Sequence, residues 1–133
     1  MFNFDDTLVF FAIGYDCYHC GIASLAGILL AIDGMSKSTP TREELEASLN
    51  SLSASGYVAI SGEGYLLTPA GKAVYDGVTA VDLPEKTVFD QIHEAQKKLA
   101  ETHSLVENVS AIEITEKQYR KARKDTRILI KNL

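Results

Sequence analysis

Between Thr41 and Asp76 the chain spells out a helix, a stop, a hairpin and a second helix start in immediate succession, and this stretch limits the fold more than any other. Thr41-Arg42-Glu43-Glu44 is a T-x-x-E capping box, in which the Thr hydroxyl serves a free N–H of the first turn and Glu44 reaches back to the cap. Leu45, Leu49 and Leu52 follow at i, i+4 and i+7 and predict one narrow buried stripe. Gly56 supplies the left-handed residue that ends such a helix. Tyr57-Val58-Ala59-Ile60 and Tyr65-Leu66-Leu67-Thr68 are β-prone runs on either side of Ser61-Gly62-Glu63-Gly64, a glycine-bearing turn. Thr68-Pro69 then pairs a hydroxyl cap with proline at the first helical position.

Helix, hairpin and closing helix in this order, with helical sequence upstream and the phrase Leu67-Thr68-Pro69-Ala70-Gly71-Lys72-Ala73 after the hairpin, resemble the winged helix-turn-helix domains of the MarR and PadR type of bacterial regulators. The resemblance covers residues 41–76 directly and implies a domain over about residues 1–80. It implies that the helix opened by Thr41 is a recognition helix. It carries little about function, because the fold hosts many roles.

Upstream, Asp5–Tyr15 is a dense apolar run whose aspartates suit a helix cap, while its Val, Phe and Ile content also suits a strand. The winged-helix pattern favours the helix. Gly14 to Gly21 is expected to break it, and Ile22, Leu25, Leu29 and Ile32 predict a second helix over 22–32. Gly34 to Pro40 forms the turn to the third. Downstream, Gly77–Pro84 reads as a linker and Glu85–His103 as an amphipathic helix with Val88, Ile92, Ala95 and Leu99 on one stripe. Ser110–Ile114 alternates like a short strand, with Ile112 and Ile114 on one face and Glu113 on the other. Thr115-Glu116-Lys117-Gln118 is a second capping box. The expected fold is therefore mainly α with a small antiparallel β element, a winged helix-turn-helix over 1–80 followed by an α-β-α extension over 81–133.

An apolar content of 46% and a mean hydropathy of −0.01 fit a chain that can bury a core. No apolar run reaches the roughly 18 residues of a membrane span, so no membrane partner is expected. The N-terminus shows no basic n-region, and two cysteines make no disulfide framework, so a cytoplasmic setting is expected. The net charge of −5 is unevenly spread. Residues 1–115 carry 6 basic and 16 acidic side chains, and residues 116–133 carry 7 basic and 2 acidic ones.

Little in the chain points to catalysis. Cys17-Tyr18-His19-Cys20 invites a metal or redox reading, but a structural zinc site needs four converging ligands. The other histidines, His93 and His103, are about 15 Å apart on one continuous helix. A thioredoxin-like pair would need a βαβ setting that is missing. Two small buried thiols are expected, with no metal and no cofactor. Neither His93 nor His103 has a nucleophile and an orienting third residue nearby.

With its leucines buried, the third helix presents Glu43, Glu46, Ala47, Asn50, Ser51 and Ala54. Base reading needs Arg, Lys, Asn or Gln in the groove and cations on the flanking phosphates. Arg42, Asn50 and Ser51 are the only DNA-facing candidates, and the hairpin tip carries no cation. The C-terminal helix is the opposite case. Lys117, Arg120, Lys121, Lys124, Arg127 and Lys131 lie across from an apolar stripe of Tyr119, Ala122, Thr126, Ile130 and Leu133. The preferred reading is a helix docked by its stripe, with its charges balancing an acidic body. The alternative is a basic surface for nucleic acid or an acidic partner.

The expected function is a non-catalytic winged-helix module that works through protein contacts and self-association. The alternative is a DNA-binding transcriptional regulator, which the resemblance favours and the charges oppose. The lone strand near residue 112 must pair either with the hairpin sheet or with a second copy. The stripe Val88, Ile92, Ala95 and Leu99 is accordingly the candidate dimer helix.

Overall fold

The structure is a computed structural model that describes residues 4–36, 39–62, 64–79, 88–101 and 112–131. Its elements run α1 (Phe4–Cys20), α2 (Leu25–Ser36), α3 (Arg42–Ala54), β1 (Val58–Ser61), β2 (Gly64–Leu67), α4 (Pro69–Thr79), α5 (Val88–Glu101) and α6 (Glu116–Lys131). The fold is mainly helical with one small antiparallel sheet and is compatible with a winged helix.

The central stretch forms as its sequence predicts. Thr41 caps α3 with both halves of the capping box in place, the Glu44 amide donating to Thr41 Oγ1 at 3.2 Å and the Thr41 amide to Glu44 Oε1 at 3.0 Å. These bonds hold the Glu44 carboxyl below the usual range, chiefly through the Thr41 backbone N–H. Leu45, Leu49 and Leu52 are fully buried, and Gly56 takes a φ of 84° at the stop. The hairpin pairs Val58 with Leu67 and Ser61 with Gly64. Thr68 then caps α4 by accepting from the Gly71 amide at 3.1 Å.

Three features differ from the sequence reading. Helix α1 runs through Gly14 to Cys20 instead of breaking, and Gly21 at φ 83° ends it. Helix α2 starts at Leu25, three residues later than its apolar spacing predicts, because Ala23 does other work. Ala23 and Tyr65 exchange two backbone hydrogen bonds of 2.9 and 2.7 Å, an isolated antiparallel bridge that ties the α1–α2 connection to β2. Ser24 then becomes the α2 cap, accepting from the Gly27 amide at 2.9 Å. Finally, residues 112–114 of the expected Ser110–Ile114 strand form no strand, and residues 110 and 111 lie outside the described residues.

One apolar core joins α1 to α5 and receives α6. Phe10, Phe11 and Tyr18 of α1 surround Tyr75 of α4, with the Tyr18 and Tyr75 rings stacked at 5.5 Å and Tyr18 donating its hydroxyl to Asp76. Gly14 lies against the same ring, where an added Cβ would sit 2.5 Å from it. Ile92, Ala95 and Leu99 are fully buried as α5 packs on α1 and α4, and Tyr57 donates its hydroxyl to the Leu99 carbonyl at 3.0 Å. Ile92, Ala95 and Leu99 are three of the four residues of the candidate dimer helix. The described part of that stripe is consumed inside the protomer, since its own core offers the apolar surface that a second copy was expected to supply. The side chain of Val88 lies outside the described residues, as do most of the 77–84 linker and His103.

Two outcomes follow from the Tyr75 environment. An alanine in mid-helix usually gains about 0.5–1 kcal/mol over glycine, but Gly14→Ala should lose about 1–3 kcal/mol because the ring leaves no room, as read by urea denaturation. Burial, followed by nearby Tyr18 and Asp76, pushes the Tyr75 phenol from 10.0 up to about 12. A raised folded-state value gives stability that is complete below the unfolded pKa and is lost as pH climbs through the folded one. Stability should therefore drain between pH 10 and about 12, and Tyr75→Phe should flatten that decline in denaturation midpoints measured across the window.

Candidate functional site

Helix α3 holds the polar side chains that a recognition helix would use, and the structure shows what occupies them. Arg42, Glu46 and Asn50 stand at i, i+4 and i+8 beside the buried leucines. Residues 112–114 run antiparallel to them in an extended conformation, Ile112 and Ile114 buried to 4% and 1% exposure and Glu113 turned to solvent. The in–out–in alternation read from the sequence is present, but among the described residues no strand pairs with it. Asn50 takes both backbone groups of Ile112, accepting from its amide at 2.6 Å and donating to its carbonyl at 2.8 Å. Glu46 accepts from the Ile114 amide at 2.8 Å, and Arg42 donates to the Ile114 carbonyl at 2.9 Å.

Side chains of a helix can act here as a strand edge because two periods nearly coincide. Four helical residues rise about 6 Å, and two extended residues span about 6.7 Å. Glu46 and Asn50, four apart on α3, therefore meet Ile114 and Ile112, two apart on the segment, and Arg42 adds a bond to the Ile114 carbonyl. The buried backbone of Ile112 and Ile114 obtains from α3 the partners that burial demands.

This arrangement settles where the candidate DNA-facing residues lie. Arg42 and Asn50 are brought together on the ladder, while Ser51 is not part of it. Both amide hydrogens of Asn50 are committed, one to Ile112 and one to the Glu46 carbonyl at 3.0 Å. Arg42 also meets Glu43 at 2.9 Å and Glu46 at 3.5 Å, and its Nε is buried without a partner. The remaining open face of α3 carries Glu43, Glu44 and Ala47. The described hairpin residues include no cation. Glu46 is the residue that sequence reasoning misplaced, as one more acid on a solvent face. Its four-residue spacing from Arg42 and Asn50 is the signal, although the same spacing serves a solvated helix equally well.

The cations lie on α6. Its second capping box is formed, the Gln118 amide donating to Thr115 Oγ1 at 3.1 Å and the Thr115 amide to Gln118 Oε1 at 2.9 Å. Ala122 and Thr126 are buried as α6 packs on α2, Thr126 donating to the Ala26 carbonyl at 3.0 Å, and Tyr119 donates to the Pro40 carbonyl. Lys117, Arg120, Lys121, Arg123, Lys124 and Arg127 are exposed along the opposite side. The side chains of Lys131 and Ile130, and all of Leu133, lie outside the described residues.

Of the Cys-Tyr-His-Cys stretch, Cys17 is half-buried and its thiol donates to the Tyr65 carbonyl at 3.5 Å, which ties α1 to the hairpin. The side chains of His19 and Cys20 lie outside the described residues. Among the described residues no three His, Cys, Asp or Glu side chains converge as metal ligands. A cleft of about 500 Å³ opens between the start of α2, the hairpin and α6, lined by Leu25, Ile60 and Tyr65 with Glu113, Lys121 and Asp125 at its polar side. No helix in the described residues is long and apolar enough to cross a membrane.

The ladder predicts a contrast between two neighbouring residues. Asn50→Ala strands a buried amide and carbonyl and should cost about 1–3 kcal/mol. Ser51→Ala should stay within about 0.5 kcal/mol. Paired urea titrations of the two variants check this, and equal effects would remove the ladder from the account.

No family model, no curated protein and no solved structure matches the chain.

Proposed function

We propose that the chain is a non-catalytic winged-helix module that works through protein contacts. One observation carries this reading. The α3 groups best suited to base edges, Arg42 and Asn50, are bound to the backbone of residues 112–114. What α3 leaves open is acidic or small, and acidic side chains facing phosphate repel it and release no counterions. Exposed Tyr15, Tyr18 and Ile60 support the protein-contact reading, since large amphipathic and apolar side chains on a surface suit protein interfaces. Self-association, if included, must use such surfaces, because the described α5 stripe is already buried.

The second reading is a DNA-binding regulator of the MarR or PadR type. The antiparallel bridge at Ala23 favours it, because it sets the connection between the first two helices against the hairpin. In that reading the phosphate contacts must come from Lys117, Arg120, Lys121, Lys124, Arg127 and Lys131, and binding is steeply salt-dependent and weakly selective.

Selection from random duplexes followed by titration of the winner separates the two. The expected result is no defined motif and no sequence-specific complex at nanomolar protein in physiological salt. A motif bound tightly, and lost in Arg42→Ala or Asn50→Ala variants that remain folded, would replace the module with the regulator.

A further inference from the structure

The ladder on α3 reads backbone, not side chains. Its four hydrogen bonds go to N–H and C=O groups of residues 112 and 114, and the only side-chain demand is that these two positions bury apolar groups. Any extended segment with apolar residues two apart meets that demand. The chain's own Ile112-Glu113-Ile114 is thus a ligand held in cis.

Beyond Ile112 and Ile114, the side chains that this segment and the helix after it bury fully are small, unlike those of α5. Helix α5 buries Ile92, Ala95 and Leu99 completely. Described α6 buries only Ala122 and Thr126, both small, and leaves Ile128 at 48% exposure. The latched state also leaves Arg42 Nε buried and unpaired, a penalty that water relieves once the segment lifts. Elements with few buried apolar contacts are the ones that open locally below the global unfolding free energy.

We propose that residues 112–131 form a latch that lifts as a unit while the α1–α5 core stays folded, and that lifting frees the Arg42–Glu46–Asn50 stripe to bind an extended apolar–any–apolar segment of a partner protein. The proposal rests on the protein-contact reading above and names the class of partner. A partner segment competes with a tethered copy, so binding in trans is weak until the latch is loosened.

Two measurements on the full chain test it. In hydrogen exchange of the unaltered protein, amides of residues 112–131 should exchange together and at least about tenfold faster than those of α5. Exchange no faster than α5 overturns the latch. In the second, a labelled synthetic peptide of residues 110–131 is titrated into the unaltered chain and into Ile112→Ser/Ile114→Ser, which loosens the latch and leaves the stripe intact. The peptide should bind the loosened chain at least about tenfold more tightly, and adding Asn50→Ala should abolish the gain. No gain, or a gain indifferent to Asn50, overturns the partner site. Exchange needs no variant, so the latch can fail even where the substituted chain does not fold. Recovery of a DNA motif would sink the protein-contact reading without altering exchange in residues 112–131, whereas slow exchange would sink the latch and leave that reading in place.

Discussion

Residues 112–114 place two isoleucines in the core with no sheet among the described residues to receive their backbone, and much of the outer face of this protein follows from how that is resolved. A buried amide or carbonyl without a partner costs about 1–3 kcal/mol, enough to decide which of several docked arrangements survives. Helix α3 provides the partners from Arg42, Glu46 and Asn50. This pairing sets the direction in which the chain enters α6, whose cap at Thr115 follows one residue after Ile114. It also commits Arg42 and Asn50, two of the three DNA-facing candidates on α3. One set of hydrogen bonds therefore positions the C-terminal helix and shapes the functional reading.

The interior is joined by a different kind of interaction. The Tyr75 ring stacks with Tyr18, meets Phe10 and Phe11, and excludes any side chain at residue 14. Helix α5 lies on the same two helices, α1 and α4, and closes the core beneath Tyr57. Charge is then distributed between the layers. The basic α6 lies against a body in which acidic residues outnumber basic ones, an attraction that stabilises docking without demanding close pairs. Of the exposed α6 cations, Arg120 has an ion pair with Glu116 at 2.9 Å on its own helix. Such an exposed pair contributes little, so the positive face is available to solvent and to partners.

Local signals were legible wherever a short range of sequence decides the outcome. Both capping boxes, the Gly56 stop, the Thr68-Pro69 start and the leucine stripe of α3 all formed, because each joins residues at most about two helical turns apart. The α1 reading went wrong at Gly14 for a related reason. Glycine disfavours a helix by about 1 kcal/mol, and packing against Tyr75, distant in the chain, overrides that preference. Likewise the apolar spacing from Ile22 to Ile32 is real, but its first residues went to pairing with Tyr65. A helical period cannot reveal that a strand on the far side of α3 needs a partner.

For the site, the sequence singled out Arg42, Asn50 and Ser51 on α3 as DNA-facing candidates and read Ser110–Ile114 as a short strand with Ile112 and Ile114 on one face. It determined the elements, their caps and which faces are apolar, since those follow from residue type and spacing alone. Only the tertiary structure decided which faces meet. It turned the α5 stripe inward onto α1 and α4, and it paired the segment with helical side chains through the near match of a four-residue helical rise to a two-residue extended repeat. Both are contacts between parts of the chain tens of residues apart, and their geometry exists only once the core has brought those parts together.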